Sequence, residues 1–70
     1  MYKEVFAERI TEARKENKLS QREAAEKLKI SKSTIASYET GRTQPDLETL
    51  GKLSKLYYHT VDYFLGLADD

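Results

Sequence analysis

Seventy residues with no cysteine and one histidine, His59, exclude disulfides, thiolate metal sites and a histidine-built metal shell, and leave room for one small hydrophobic core. Twelve Lys and Arg balance twelve Asp and Glu, so net charge alone gives no pull toward a polyanion. No stretch approaches the roughly 20 apolar residues of a membrane span, and the opening Met1-Tyr2-Lys3-Glu4 lacks the apolar run of a secretory signal. The expectation is therefore one domain over residues 1–70, intracellular and cytoplasmic, with no membrane contact and no cofactor, metal or small-molecule ligand.

The first helix is expected from about Tyr2 to Asn17, where Phe6, Ile10 and Ala13 recur at helical spacing. Glu8, Arg9, Glu12 and Glu16 then fall on its charged surface, and Asn17-Lys18 ends it. Ser20-x-x-Glu23 reads as a capping box, with the serine oxygen accepting from the Glu23 backbone and the carboxylate reaching back to the Ser20 N–H. It opens a second helix over about Gln21 to Leu28. Lys29-Ile30 forms a turn, and Ser31 caps a third helix running from Lys32 to about Thr40, where Gly41 supplies a left-handed terminus.

Arg42-Thr43-Gln44 is a loop. Pro45-Asp46 starts a fourth helix, because an aspartate cap satisfies free N–H groups and complements the positive helix end. That helix is expected to bury Leu47, Leu50, Leu53 and Tyr57. Gly51 inside it costs about 1 kcal/mol relative to alanine, which points to a close helix contact there. Thr60 caps a short last helix with Val61, Phe64 and Leu65 inward, and Gly66 ends it. Five helices with short connections make an all-α fold.

The central pair of helices is the most informative segment. Ala24, Ala25, Leu28, Ile30, Ile35 and Tyr38 put small or apolar side chains between two short capped helices. Helices closed on one another across a turn form a unit that can push its second member into a DNA major groove. The charge distribution agrees with that use. Residues 14–42 carry eight bases against four acids, a surplus of +4, while residues 43–70 carry −3 and residues 1–13 carry −1. Such asymmetry can turn the middle of the chain toward a polyanion; solvated helix faces of mixed charge account for the same numbers equally well.

These residues resemble the helix-turn-helix of the lambdoid phage repressor and Cro group, the XRE family. Leu19-Ser20-Gln21 opens the match, Ala25 is the small residue that lets the helices approach, and Leu28, Ile30, Ile35 and Tyr38 fill the wedge. Tyr38-Glu39-Thr40-Gly41-Arg42-Thr43-Gln44-Pro45 is similar to the family's aromatic-Glu-x-Gly-x-x-x-Pro tail, with Leu50 at the matching distance. The resemblance covers about residues 5–66 and implies a compact five-helix, lambda-repressor-like domain with the helix-turn-helix at helices 2 and 3. One position departs. The family commonly has glycine where this chain has Lys29, at a site needing positive φ, and a lysine there costs on the order of 1 kcal/mol.

The resemblance implies a transcriptional repressor that binds double-stranded DNA sequence-specifically, as a homodimer on a pseudo-palindromic operator with half-sites about 10 bp apart. It assigns base contacts to Lys32, Ser33 and Ser37 on one face of helix 3, although Lys32 touching phosphate alone is the plainer alternative. Gln21, at the N-terminus of helix 2, can hold a phosphate through its amide and the free backbone N–H groups. Thr34, Arg42, Thr43 and Gln44 follow as backbone contacts, and Arg22 is either another or an exposed charge near the duplex. Arg14 and Glu39 are placed against one another as a structural ion pair that orients helix 3.

Four of the seven Phe and Tyr residues lie near the C-terminus. Tyr57, Tyr58, Val61, Tyr63, Phe64 and Leu67 are accordingly the candidate dimer surface, against the alternative that several of them close the core. Nothing resembling an effector domain follows the five helices, so dimerisation is intrinsic or the 70 residues are part of a longer regulator. Two rival functions are weaker. An enzyme lacks a catalytic constellation, because Glu23 is explained by capping, Glu39 by Arg14, and His59 as a surface imidazole in a turn. A protein-interaction module or antitoxin-type partner of the same fold would not need the donors Gln21, Lys32, Ser33 and Arg42.

Overall fold

Each boundary between helices is set by a local hydrogen bond that the sequence encodes. In the computed structural model, which describes residues 2–69, five helices form in the order α1 (Tyr2–Glu16), α2 (Gln21–Leu28), α3 (Lys32–Glu39), α4 (Leu47–Tyr57) and α5 (Val61–Phe64). No strand occurs among the described residues. Ser20 Oγ accepts from the Glu23 N–H at 3.0 Å, and Glu23 Oε1 accepts from the Ser20 N–H at 2.8 Å, completing the capping box. Ser31, Asp46 and Thr60 cap α3, α4 and α5 by accepting from the backbone N–H of Thr34, Thr49 and Tyr63. The cap hydrogen bonds hold the Glu23 and Asp46 carboxyls below the usual carboxylate range.

The helices end where one residue turns left-handed. Gly41 does so after α3 at φ 77°, and Lys29 does so after α2 at φ 59°, the strained lysine that the resemblance implies. Two further non-glycine residues do the same, Lys18 after α1 (φ 58°) and Tyr58 after α4 (φ 62°). No glycine marks either place, so the sequence offers no signal for them.

All five helices bury one face in a shared core of Phe6, Ile10, Ala13, Ala24, Ala25, Leu28, Ile35, Tyr38, Leu53, Tyr57 and Phe64. Its aromatic part is built edge to face. Phe64 meets Phe6 with ring centroids 6.3 Å apart and Tyr57 at 6.4 Å, in the geometry that ring quadrupoles favour. Among the described residues no helix is long and apolar enough to cross a membrane.

Four expectations about packing are corrected. Leu47 is 86% exposed, because it opens α4 on the side away from the core. Gly51 makes no close helix contact: a Cβ built there meets nothing within 4 Å. Val61 and Leu65 are half-buried, leaving Phe64 as the one fully buried residue of α5. Arg9 does not belong to a solvated charged face. Its Nη1 donates to the carbonyls of Tyr63 and Ala68, each at 2.7 Å, and its guanidinium lies 4.4 Å from the Tyr63 ring centroid.

Candidate nucleic-acid interface

Small side chains let α2 and α3 close on one another. Ala24 and Ala25 are 0% and 3% exposed, and Leu28, Ile35 and Tyr38 fill the angle between the helices. The turn between them is fixed by Ile30 N–H donating to Ala25 C=O at 3.0 Å around the left-handed Lys29. Burial raises the Tyr38 phenol pKa above its usual value. Their inner faces are filled, and the first residues of α3, Lys32 and Ser33, stand exposed.

Lys32 and Ser33 stand exposed on the first turn of α3, and Ser37 is half-buried one turn further on. Ser33, Ala36, Ser37, Thr40 and Arg42 line one shallow concavity along the outer side of this helix. Arg42 is positioned from the backbone: its N–H donates to Ser37 C=O at 2.9 Å, which folds the loop back over the end of α3. Arg42, Thr43 and Gln44 are all exposed, and Gln44 borders a second, apolar groove with Tyr2, Lys3, Phe6, Pro45, Leu50 and Leu65. Arg22 is also exposed. Thr34 is half-buried and shares a 2.8 Å hydrogen bond between its hydroxyl and that of Ser31.

The electrostatics of the helix starts differ in one respect. The first turns of α1, α2, α4 and α5 contain Glu4, Glu23, Glu48 and Asp62, each offsetting the positive end of its helix. The first turn of α3 contains no acid and begins with Lys32. A cation at this end is unfavourable by about 0.3–1 kcal/mol. The combination leaves one outward-facing patch where backbone N–H groups and an ammonium add their positive potentials.

Behind that patch, Arg14 ties the helices together. Its Nε donates to Glu39 Oε2 at 2.6 Å and its Nη2 to Glu39 Oε1 at 3.1 Å, a two-pronged pair with side chains 11% and 7% exposed. The remaining prong, Nη1, donates to Leu19 C=O at 2.8 Å. The hydrogen bonds to Glu39 hold the Arg14 pKa above its usual value. Gln21 enters the same cluster, its Nε2 donating to Glu39 Oε1 at 3.0 Å. Sequence reasoning placed Gln21 at a phosphate and Glu39 opposite Arg14 but did not join them, because the join spans 18 residues and follows no helical spacing.

The six candidate dimer residues separate into three groups. Tyr57 and Phe64 are 1% and 0% exposed and belong to the core, so neither can face a second copy. Burial and the nearby Glu39 charge push the Tyr57 phenol up to about 12. Tyr63 lies between two groups of its own chain, stacked on the His59 imidazole at 4.0 Å on one face and under the Arg9 guanidinium on the other. His59 is likewise not a free surface imidazole, since its Nε2 lies 3.1 Å from Glu16 Oε1. Tyr58 and Leu67 are 83% and 60% exposed, and Val61 is half-buried.

Residues 10–57 match the family described as helix-turn-helix. The sequence is 41% identical over 66 residues to YobD of Bacillus subtilis, a regulator described as uncharacterised and of the helix-turn-helix type, covering 94% of this chain and 59% of the relative. It is 46% identical over 61 residues to the helix-turn-helix-type transcriptional regulator ImmR of the same organism, covering 87% and 48%. With the cryptic phage CTXphi transcriptional repressor RstR of Vibrio cholerae it shares 40% identity over 53 residues, covering 76% and 48%. All three bear the names of regulators rather than of enzymes. The chain spans about half the length of the curated relatives it matches.

Proposed function

The chain belongs to the helix-turn-helix family, and from that premise we propose that it binds double-stranded DNA sequence-specifically and represses transcription as a homodimer on a pseudo-palindromic operator. The observation that carries the reading is the start of α3, where Lys32 stands exposed on a first turn that contains no acid. The first turn of every other helix contains an acid. This one favours an anionic partner, and a duplex supplies it at the spacing a major-groove helix requires. In this reading Lys32, Ser33 and Ser37 face base edges, and Gln21, Arg22, Thr34, Arg42, Thr43 and Gln44 hold the phosphates on either side.

Repression follows from occupying promoter DNA within the cell. One domain over residues 1–70 supplies the reading head, and pairing two of them brings a second half-site about 10 bp away into the contact list. Tyr58, Val61 and Leu67 are the candidates left for that pairing once Tyr57 and Phe64 are assigned to the core and Tyr63 to its contacts with His59 and Arg9.

Selection of bound sequences from random duplex DNA, followed by a salt titration on the winner, tests the reading. A two-fold symmetric consensus and a steep fall of affinity with salt are expected. Lys32→Ala should relax preference at one base position per half-site, whereas Arg42→Ala should weaken all sequences alike and flatten the salt slope by about one unit. The absence of binding to any duplex at low ionic strength would overturn it.

A further inference from the structure

The Glu39 carboxylate accepts from Arg14 on α1 and from Gln21 on α2 while itself belonging to α3. The geometry points to Glu39 as a positioning residue for DNA binding: it fixes the Gln21 amide in the orientation that presents an N–H to a phosphate. The inference rests on the DNA-binding reading above and adds to it a link between two features that the sequence shows only separately.

The chemistry of the two groups sets the direction. A primary amide can turn either its oxygen or its nitrogen toward a neighbour, and the two alternatives differ by a rotation of its last torsion. An ionised carboxylate offers only acceptors, so the Gln21 nitrogen must face it and the oxygen must turn away. Nε2 carries two N–H groups. One is used on Glu39 at 3.0 Å, and the second remains on the same nitrogen, at the first position of α2, where backbone N–H groups also await an acceptor.

Without the carboxylate this side chain would have to be ordered by the phosphate itself, and its rotational freedom would be lost on binding. Arg14 is what makes the arrangement durable. Its Nε and Nη2 bonds hold the carboxylate in place, and the pair is almost withdrawn from solvent. The same carboxylate therefore sets where α3 lies and how the first residue of α2 meets the backbone.

A double-mutant cycle on a duplex that the wild type binds tests this, with Gln21→Ala, Glu39→Asp and the double variant at fixed salt. Aspartate keeps the charge opposite Arg14, whose long side chain can follow it, but withdraws the carboxylate from Gln21. Each single change is expected to weaken binding about 3- to 10-fold, the worth of one hydrogen bond, and the second change to add nothing once the first is made. Losses that multiply, or a Gln21→Ala variant that binds as tightly as the wild type, overturn the inference. Nitrogen-15 relaxation of the Gln21 side-chain amide in the free wild-type protein reads the same link without DNA and without a variant. An order parameter above about 0.6, outside the flexible range, is expected, and one below it overturns the inference. Should the wild type bind no duplex, the proposed function fails, and the same relaxation measurement repeated on Glu39→Asp still decides whether Glu39 holds the amide, since mobility unchanged from the wild type would overturn the link.

Discussion

Arg9 and Arg14 leave α1 little more than a turn apart, and each fastens it to a different half of the molecule by different means. Arg14 meets a carboxylate, with both partners nearly withdrawn from water, and secures α3. Arg9 meets two carbonyls and a tyrosine ring, and secures α5 together with the chain just beyond it. A charge whose only counter-charge is buried beside it has nowhere to go when the partner is lost. A cation spread over neutral dipoles and a partly exposed ring can be removed with smaller penalty. The lesson is that the half of the protein bearing the candidate interface is held by the costlier kind of contact.

The largest effect is expected at the ion pair. Arg14→Ala should destabilise by about 3–5 kcal/mol, because it strands Glu39 in the interior, and should lower the melting temperature by more than about 10 °C. An unchanged melting temperature would remove the pair from the account of stability. Tyr57 tests the same region from the alkaline side. Its phenol is pushed up to about 12, chiefly by burial. In the unfolded chain it ionises near about pH 10. The raised value means that the folded state holds the proton more tightly. The associated stability is complete below about pH 10 and is lost as pH rises toward about 12, on the order of 2 kcal/mol in all. Urea midpoints measured across that range should fall for the wild type and fall less steeply for Tyr57→Phe, in which the raised Tyr38 phenol still contributes.

Arg9→Ala should cost about 1–2 kcal/mol, the combined worth of its hydrogen bonds and its ring contact. The matching experiment is urea denaturation alongside Arg14→Ala, and a loss equal to that of Arg14→Ala would erase the distinction between the two halves. The smallest effects have the opposite sign. Lys29→Gly on the α3 side and Tyr58→Gly on the α5 side each relieve a left-handed non-glycine residue, at φ 59° and 62°. Each should stabilise by about 0.5–1 kcal/mol. Equal gains would show that the halves differ in their fastenings and not in their turns.

The helices and their starts were legible because each signal is local. Ser20, Ser31, Asp46 and Thr60 act on N–H groups three residues away, a distance that a sequence displays. The wedge of Ala25, Leu28, Ile35 and Tyr38 was legible for the same reason, as a period. What escaped were contacts with no period. Arg9 reaches a carbonyl 54 residues on, and a backbone carbonyl has no residue type to announce it. Leu47 was misjudged because hydrophobicity says that a residue can be buried, whereas its place on the first turn of α4 decides that it is not. Within the candidate interface, Lys32 and Ser33 could be read from their place on α3. The connection from Gln21 to Glu39 became visible only with the helices in position.

The caps also bear on how quickly the chain reaches its final shape. Four of the five helices carry their own start signal within one turn, so much of the ordering is decided between near neighbours along the chain. Helical chains of this kind cross their kinetic barrier in about microseconds to milliseconds. The Arg9 hydrogen bond to Ala68, which closes a loop of 59 residues, stands at the other extreme. Loop closure over that length makes it one of the last native contacts to form and one of the first to release.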